Sequence, residues 1–346
     1  MVVESSIFSL FPDINDLEKV HTKYNQHTID SLRKLLSAYE KGMGKNYGKL
    51  HNTLSSLKPN GKLNPYFFYL KLKIAESLKN NDVKNSTNYI NELKKALTNS
   101  KRSDDLAVKN IFDSSWDEDL FETRFSIDMD RTMGVRGRIK KLTSKEIIIQ
   151  KEKISDALNL ISEVDPVYSS EIDELLSNIH LLKPEKKNQQ LFYGASANVI
   201  FGSIYFQIPT ESVDPIVYYF EHIIHEATHL TLFLLFSEDK LILNDNQKIY
   251  TAPLREDKRH MYGIVHATFV LGRLVQAFQK LIDNQKVKMA KKQIKELKKT
   301  HELRKLQFLI GYKTIKKYGK LTSNGKKLLN SMSSLAREIE KEQKND

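Results

Sequence analysis

The chain has 346 residues, with 55 Lys and Arg against 43 Asp and Glu, long enough to bury a core as one large domain or two smaller ones. It contains no cysteine, which excludes disulfides, thiolate metal ligands and cysteine nucleophiles and fits a reducing cytoplasm. The net charge of +12 is uneven: from Lys258 onward 22 basic residues stand against 7 acidic ones, a net of +15, leaving −3 for the 257 residues before it.

In chain order, the opening MVVESSIFSLFPDIND has no basic segment leading into a long apolar run, so no secretory signal is expected and the location expected is cytoplasmic. Residues 13–99 read as helices, with apolar positions at helical spacing in Leu32, Leu35, Leu36 and Tyr39, and again in Phe67, Tyr69, Leu70, Leu72 and Ile74. Pro59-Asn60-Gly61 marks a turn between them. Residues 100–118 are polar and read as an irregular boundary, and Leu120–Met129 alternates as a strand does. Thr143–Ile161 and Ser169–Leu182 read as amphipathic helices, capped by Thr143 or Ser144 and by Ser169 or Ser170, with Pro184 ending the second. Phe192–Ile208, aromatic and β-branched around Gly194 and Gly202, predicts one or two strands. A loop over 237–257 leads to an apolar helix at Lys258–Ile282. Lys-rich helices follow at 284–317 and 323–343, separated by Ser323-Asn324-Gly325. The expected fold is mainly α (α+β): a helical body with a small β-sheet beside the metal-binding helix, and not a jelly-roll barrel. Its expected regions are 1–110 (helical platform or partner-binding module), 111–283 (metal-binding core) and 284–346 (basic and helical).

The chemistry concentrates in Phe220–Leu235, which holds His225-Glu226-Ala227-Thr228-His229, a complete H-E-x-x-H. On a helix, positions i and i+4 share a face, so His225 and His229 can grip one metal ion while Glu226 stands to one side. Asp214 is placed to cap this helix and Pro215 fits its first turn. The apolar run Ile216–Phe236 is broken by Glu221, His222, His225, Glu226 and His229, making it a poor membrane span and a good buried helix. Buried His and Glu need partners. A metal supplies one; hydrogen bonds to neighbouring helices are the plainer alternative. Five of the ten histidines (His222, His225, His229, His260 and His266) fall in this helix and the segment after it.

That later segment adds a second set of side chains. Arg259, Gly263 or Tyr262, His266 and Arg273 recur at helical spacing and share a face. His266 lies among Ile264, Val265, Ala267 and Phe269, where an unpaired imidazole is costly; it serves as a third ligand or as a buried, hydrogen-bonded histidine. Gly263 is expected to let the backbone pack close, and arginine suits a carboxylate. Three ligands on one face plus an arginine match what an iron oxygenase that binds a 2-oxo acid requires.

Three pieces of sequence resemble a known family: Phe201-Gly202-Ser203-Ile204-Tyr205-Phe206, the H-E-x-x-H itself, and Ala252-Pro253-Leu254-Arg255-Glu256-Asp257-Lys258-Arg259 leading through Gly263 to His266-Ala267. Residues 192–275 resemble the H-E-x-x-H-containing peptide-modification proteins, which include iron- and 2-oxoglutarate-dependent peptide β-hydroxylases of ribosomal peptide pathways. The resemblance implies iron(II) held by His225, His229 and His266, 2-oxoglutarate anchored by Arg255 or Arg259, and Glu226 orienting a ligand or the substrate amide. The family pattern has proline after the second arginine and leucine before the last histidine. This chain has His260 and Val265 there, which leaves His260 as a rival ligand.

Two other functions compete. In a zinc peptidase or amidohydrolase, Glu226 would be the general base acting on metal-bound water. In a non-catalytic helical binding protein the histidines would be structural. The basic C-terminal stretch carries no nucleic-acid-binding motif, and its aromatics are limited to Phe308, Tyr312 and Tyr318. The expected partner is therefore a peptide substrate with an acidic leader or core segment, with neither nucleic acid nor a membrane involved.

Overall fold

The computed structural model describes residues 7–44, 46–99, 105–126, 138–187, 189–254, 258–284 and 289–345. The chain is mainly helical with a small mixed sheet, and no barrel closes among the described residues. It forms two compact units, each of discontinuous segments. One takes residues up to Leu17, Glu152–Ile172 and everything from Ser212; the other takes Glu18–Lys151 and Asp173–Glu211.

In the second unit, the helices are α1 (Ile14–Met43, from Glu18 on), α2 (Gly48–Ser56), α3 (Pro65–Lys79) and α4 (Val83–Asn99). Leu32, Leu36 and Tyr39 on α1 and Phe67, Leu70 and Ile74 on α3 are buried, as the helical spacing predicts. Asn64 caps α3 by accepting from the Tyr66 amide, just before Pro65 in the first turn.

The sheet joins β1 (Ala107–Asn110), β2 (Ile139–Lys140), β3 (Asn178–Pro184), β4 (Gly194–Ser196) and β5 (Ser203–Gln207). Strands β1, β3 and β5 run parallel, whereas β4 pairs antiparallel with β5 and β2 with the end of β3. Gly202 enters β5 at φ +87°, where a Cβ would also come within 3.1 Å of Ser177 Oγ. Glycine alone suits that turn.

Three expectations change here. The stretch read as a strand at Leu120–Met129 is helix α5 (Ser115–Ser126) in the part described. Ser114 and Asp117 cap it reciprocally, and Asp117, Leu120, Phe121 and Phe125 line its buried side; the alternation in LFETRFS fits that helical spacing as well as a pleat. The boundary at 100–118 contains β1. The helix expected over Ser169–Leu182 is α7 (Pro166–Leu175), preceded by Asp165, which accepts from the Tyr168 amide. Asn178–Leu182 then turns into β3, a central parallel strand. Its apolar run is buried on both faces, so it lacks the period of two that marks a strand. Between α5 and α7 lies α6 (Ser144–Val164), capped by Thr143, one of the two expected candidates, with Glu146 accepting from the Thr143 amide in return.

The other unit packs α8 (Pro215–Glu238), α9 (Met261–Asp283) and α10 (Lys291–Tyr318), followed by α11 (Ser323–Ser331) and α12 (Ser333–Asn345). Ser323-Asn324-Gly325 is not a separator. It is the first turn of α11, capped by the Thr322 hydroxyl on the Gly325 amide. The loop over 237–257 contributes β6 (Ile249–Tyr250), paired antiparallel with β7 (Arg259–His260), so α9 starts at Met261 rather than Lys258. Leu232, Leu235, Ile264, Phe269, Phe308 and Leu309 share one core with Leu10 from the N-terminal segment. Helices α9 and α10 approach closely at Gly272, where a Cβ would meet Phe308 at 2.9 Å, and at Gly311, where it would meet Thr268 Oγ1 at 2.0 Å. Of the described helices, α9 alone is long and apolar enough to cross a membrane, and 72% of its apolar window is buried inside the protein.

Candidate metal centre

Helix α8 forms as the sequence predicts. Asp214 accepts from the amides of Ile216 and Val217, and Pro215 occupies the first turn, a cap worth about 1 kcal/mol. Its apolar residues are buried on most sides, which leaves one stripe, at positions 222, 225 and 229, for imidazoles.

His225, Glu226 and His229 each offer a ligand atom within 4.8 Å of the others. The rings of His225 and His229 lie 4.8 Å apart, centre to centre. His266 on α9 meets His229 from the neighbouring helix: its Nε2 is 3.0 Å from His229 Nδ1, and the ring centres are 4.4 Å apart. Two nitrogens each about 2.1 Å from one cation, at a right angle, lie about 3.0 Å apart. An N–H···N hydrogen bond has the same length. His222 extends the row, 6.5 Å from His225 and packed edge-on to Tyr218. His260 stands exposed at the N-cap of α9; the ring that reaches His229 is that of His266.

The electrostatics suit ligation. Burial pushes His225 down to about 3, helped by repulsion from His222; burial brings His222 to about 3 and His266 to about 4. These rings are half-buried, yet enclosed on enough sides that the charged form is disfavoured. They are neutral near pH 7 and present lone pairs without first losing a proton. Glu226 is only 3% exposed.

Around the imidazoles the wall is aromatic. Phe233 and Tyr262 each lie 5.6 Å from His266, and Tyr262 packs on Phe236 at 4.7 Å. Tyr262 and Phe236 continue into a pocket of ≈ 740 Å³, which Lys240, Asn244, Arg259 and His260 also line. Arg259 thus precedes His266 by seven residues, on β7 rather than on the helix. Arg255 lies outside the described residues. Arg273, expected on the same face, points its guanidinium at Glu171 of α7. Gly263 is not a site of close packing, since a Cβ there would make only an ordinary 3.8 Å contact with Arg259.

Sequence reasoning passed over Arg304. It sits in Lys-rich α10, donates through Nε and Nη2 to Glu221, one turn before His225, and contributes to the depressed basicity of His222 and His225. Nothing local distinguishes it from the lysines around it. Glu171 and Tyr168 were missed too, because their roles depend on contacts far along the chain.

Fold and site together define a mainly helical α+β protein with a histidine-rich cluster whose donor atoms could hold a metal ion. The donor set fits a borderline divalent cation: His225, Glu226 and His229 on one helix, with the His266 ring brought against His229 from the next. No protein-family model matches the chain, and no curated protein does either.

Proposed function

We propose that the chain is an iron(II)- and 2-oxoglutarate-dependent oxygenase that hydroxylates the β-carbon of a residue in a ribosomally made peptide. The observation that supports this is the meeting of His225, His229 and His266 beside a pocket that carries Arg259 and Lys240. In this scheme His225, His229 and His266 would hold the metal. Iron(II), when bound, supplies dioxygen activation. The balance is peptide C–H, dioxygen and 2-oxoglutarate giving peptide C–OH, succinate and carbon dioxide.

The residues of the chain do the rest. Arg259 and Lys240 pair with the carboxylates of the 2-oxo acid, the fork of Arg259 holding one of them at both oxygens. Phe233, Phe236 and Tyr262 keep water from the reacting carbon and fix its approach. Glu226, almost fully buried, accepts a hydrogen bond and orients a ligand or the substrate amide. The exposed lysines of α10, among them Lys292, Lys295 and Lys299, suit an acidic segment of the peptide, and higher salt would then weaken its binding. A cysteine-free chain using ferrous iron fits the cytoplasm.

One observation favours a second function. Glu226 lies within 4.8 Å of the ligand atoms of both His225 and His229, a suitable place for the general base of a zinc hydrolase. The deciding experiment is anaerobic reconstitution with iron(II), then exposure to air with 2-oxoglutarate and measurement of succinate. Succinate formation supports the oxygenase. Amide cleavage with zinc and no succinate supports the hydrolase. Failure to bind any metal stoichiometrically removes both and leaves a helical binding protein.

A further inference from the structure

Behind the imidazoles, the helical unit buries a charged pair. Arg273 on α9, 1% exposed, places Nη2 2.5 Å from Oε2 of Glu171 on α7. The other Glu171 oxygen accepts from the Thr231 hydroxyl on α8. The guanidinium lies 4.4 Å over the ring of Tyr168. Tyr168 in turn hydrogen-bonds through its hydroxyl to that of Thr228, and lies 3.4 Å from the Ile224 carbonyl. Thr228 is the residue between Ala227 and His229 inside the H-E-x-x-H. Each helix that carries a candidate ligand is therefore tied to α7: α8 through Thr228 and Thr231, α9 through Arg273.

Stability does not account for this arrangement. Taking both charges out of water costs more than their attraction reliably offsets, and well-packed apolar residues of similar volume often hold a core as well or better. Among the described residues Arg273 Nε and Nη1 also have no hydrogen-bond partner, which adds to the cost. An ion pair is directional, however, where greasy surfaces allow two helices to slide. His266 and Arg273 are two turns apart on α9 and so share a face.

We infer that the Glu171–Arg273 pair is a positioning device for the metal centre, fixing α9 against α8 so that His266 meets His229 at ligand distance. This rests on the metal-centre function proposed above. The test is a cobalt(II) titration of the full chain, followed by visible absorption, with the unfolding midpoint measured in parallel. The wild type is expected to take one equivalent and His225→Ala none. A wild type that takes none removes the metal centre itself, a failure distinct from that of the pair.

With metal binding in hand, the double variant Glu171→Leu/Arg273→Met is expected to keep its unfolding midpoint while binding cobalt(II) about tenfold or more weaker, with an altered spectrum. Arg273→Lys, which keeps the charge, should bind more tightly than Arg273→Met. Wild-type affinity and spectrum in the folded double variant would overturn the proposal. Should the double variant not fold, Arg273→Lys and Glu171→Asp decide instead. Both shift the contact without removing charge, and wild-type spectra in both would equally overturn it.

Discussion

His229 Nδ1 and His266 Nε2 lie 3.0 Å apart although their residues are 37 positions apart in sequence. The contact joins two separate helices and leaves His225 on the same side of the first. It predicts that His266→Ala loses metal affinity by about as much as His225→Ala or His229→Ala, with the fold intact. Metal content after gentle anaerobic purification measures this. Full occupancy in the His266 variant alone would remove it from the ligand set.

Glu226 separates the two chemistries proposed for the site. Glu226→Gln keeps the shape and removes the basic carboxylate. A zinc hydrolase then loses most activity, on the order of 10²–10⁴-fold, whereas an oxygenase retains measurable 2-oxoglutarate turnover. Succinate yield per metal in the variant is the quantity to follow.

Arg259 lines the pocket, seven residues before His266. Arg259→Ala is expected to raise the 2-oxoglutarate KM about 10- to 100-fold, the value of a charge-assisted hydrogen bond, with a smaller effect from Lys240→Ala. An unchanged KM would place the anchor elsewhere, with Arg255 as the next candidate.

The crossing of α9 and α10 at Gly311 makes a packing prediction. A methyl there would collide with Thr268, whose hydroxyl is already held by the Ile264 carbonyl at 2.7 Å. Gly311→Ala should destabilise by about 1–3 kcal/mol. The same change at Gly263, where there is room, should be neutral or stabilise by about 0.5–1 kcal/mol. A lowered denaturant midpoint for Gly311→Ala and no loss for Gly263→Ala are the expected result.

In the sheet, His180 is fully buried, stacked on Tyr205 at 4.7 Å, with Asp117 3.7 Å from its Nδ1 and Lys109 beside it in register. Burial pushes it down from 6.5 to about 4, against the pull of Asp117. As pH falls through that window the unfolded chain takes up a proton that the folded one refuses. Stability therefore falls on acidification by about 1.4 kcal/mol per pH unit from this residue. His180→Leu should flatten the acid limb of a stability-versus-pH curve by one proton; an unchanged slope would show that the ring titrates normally.

Local sequence determined the elements whose signals are local. Asp214-Pro215 ahead of an apolar run specifies α8, and H-E-x-x-H within it puts two imidazoles on one face whatever surrounds the helix. The glycine-punctuated aromatic stretch before it became β4 and β5. Where two structures share a pattern, tertiary contacts decided: LFETRFS became α5 through the Ser114–Asp117 cap, and Asn178–Leu182 became a central strand because parallel strands pair with both its edges. Only the folded chain could show that residues 152–172 leave the rest of their surroundings to join the unit of the histidines. The same holds for Arg273 meeting Glu171 and for His266, rather than His260, reaching His229. A period in sequence fixes which residues share a face, but not which face of another element lies opposite. That choice is made by packing and by the pairing of buried charge across the whole core.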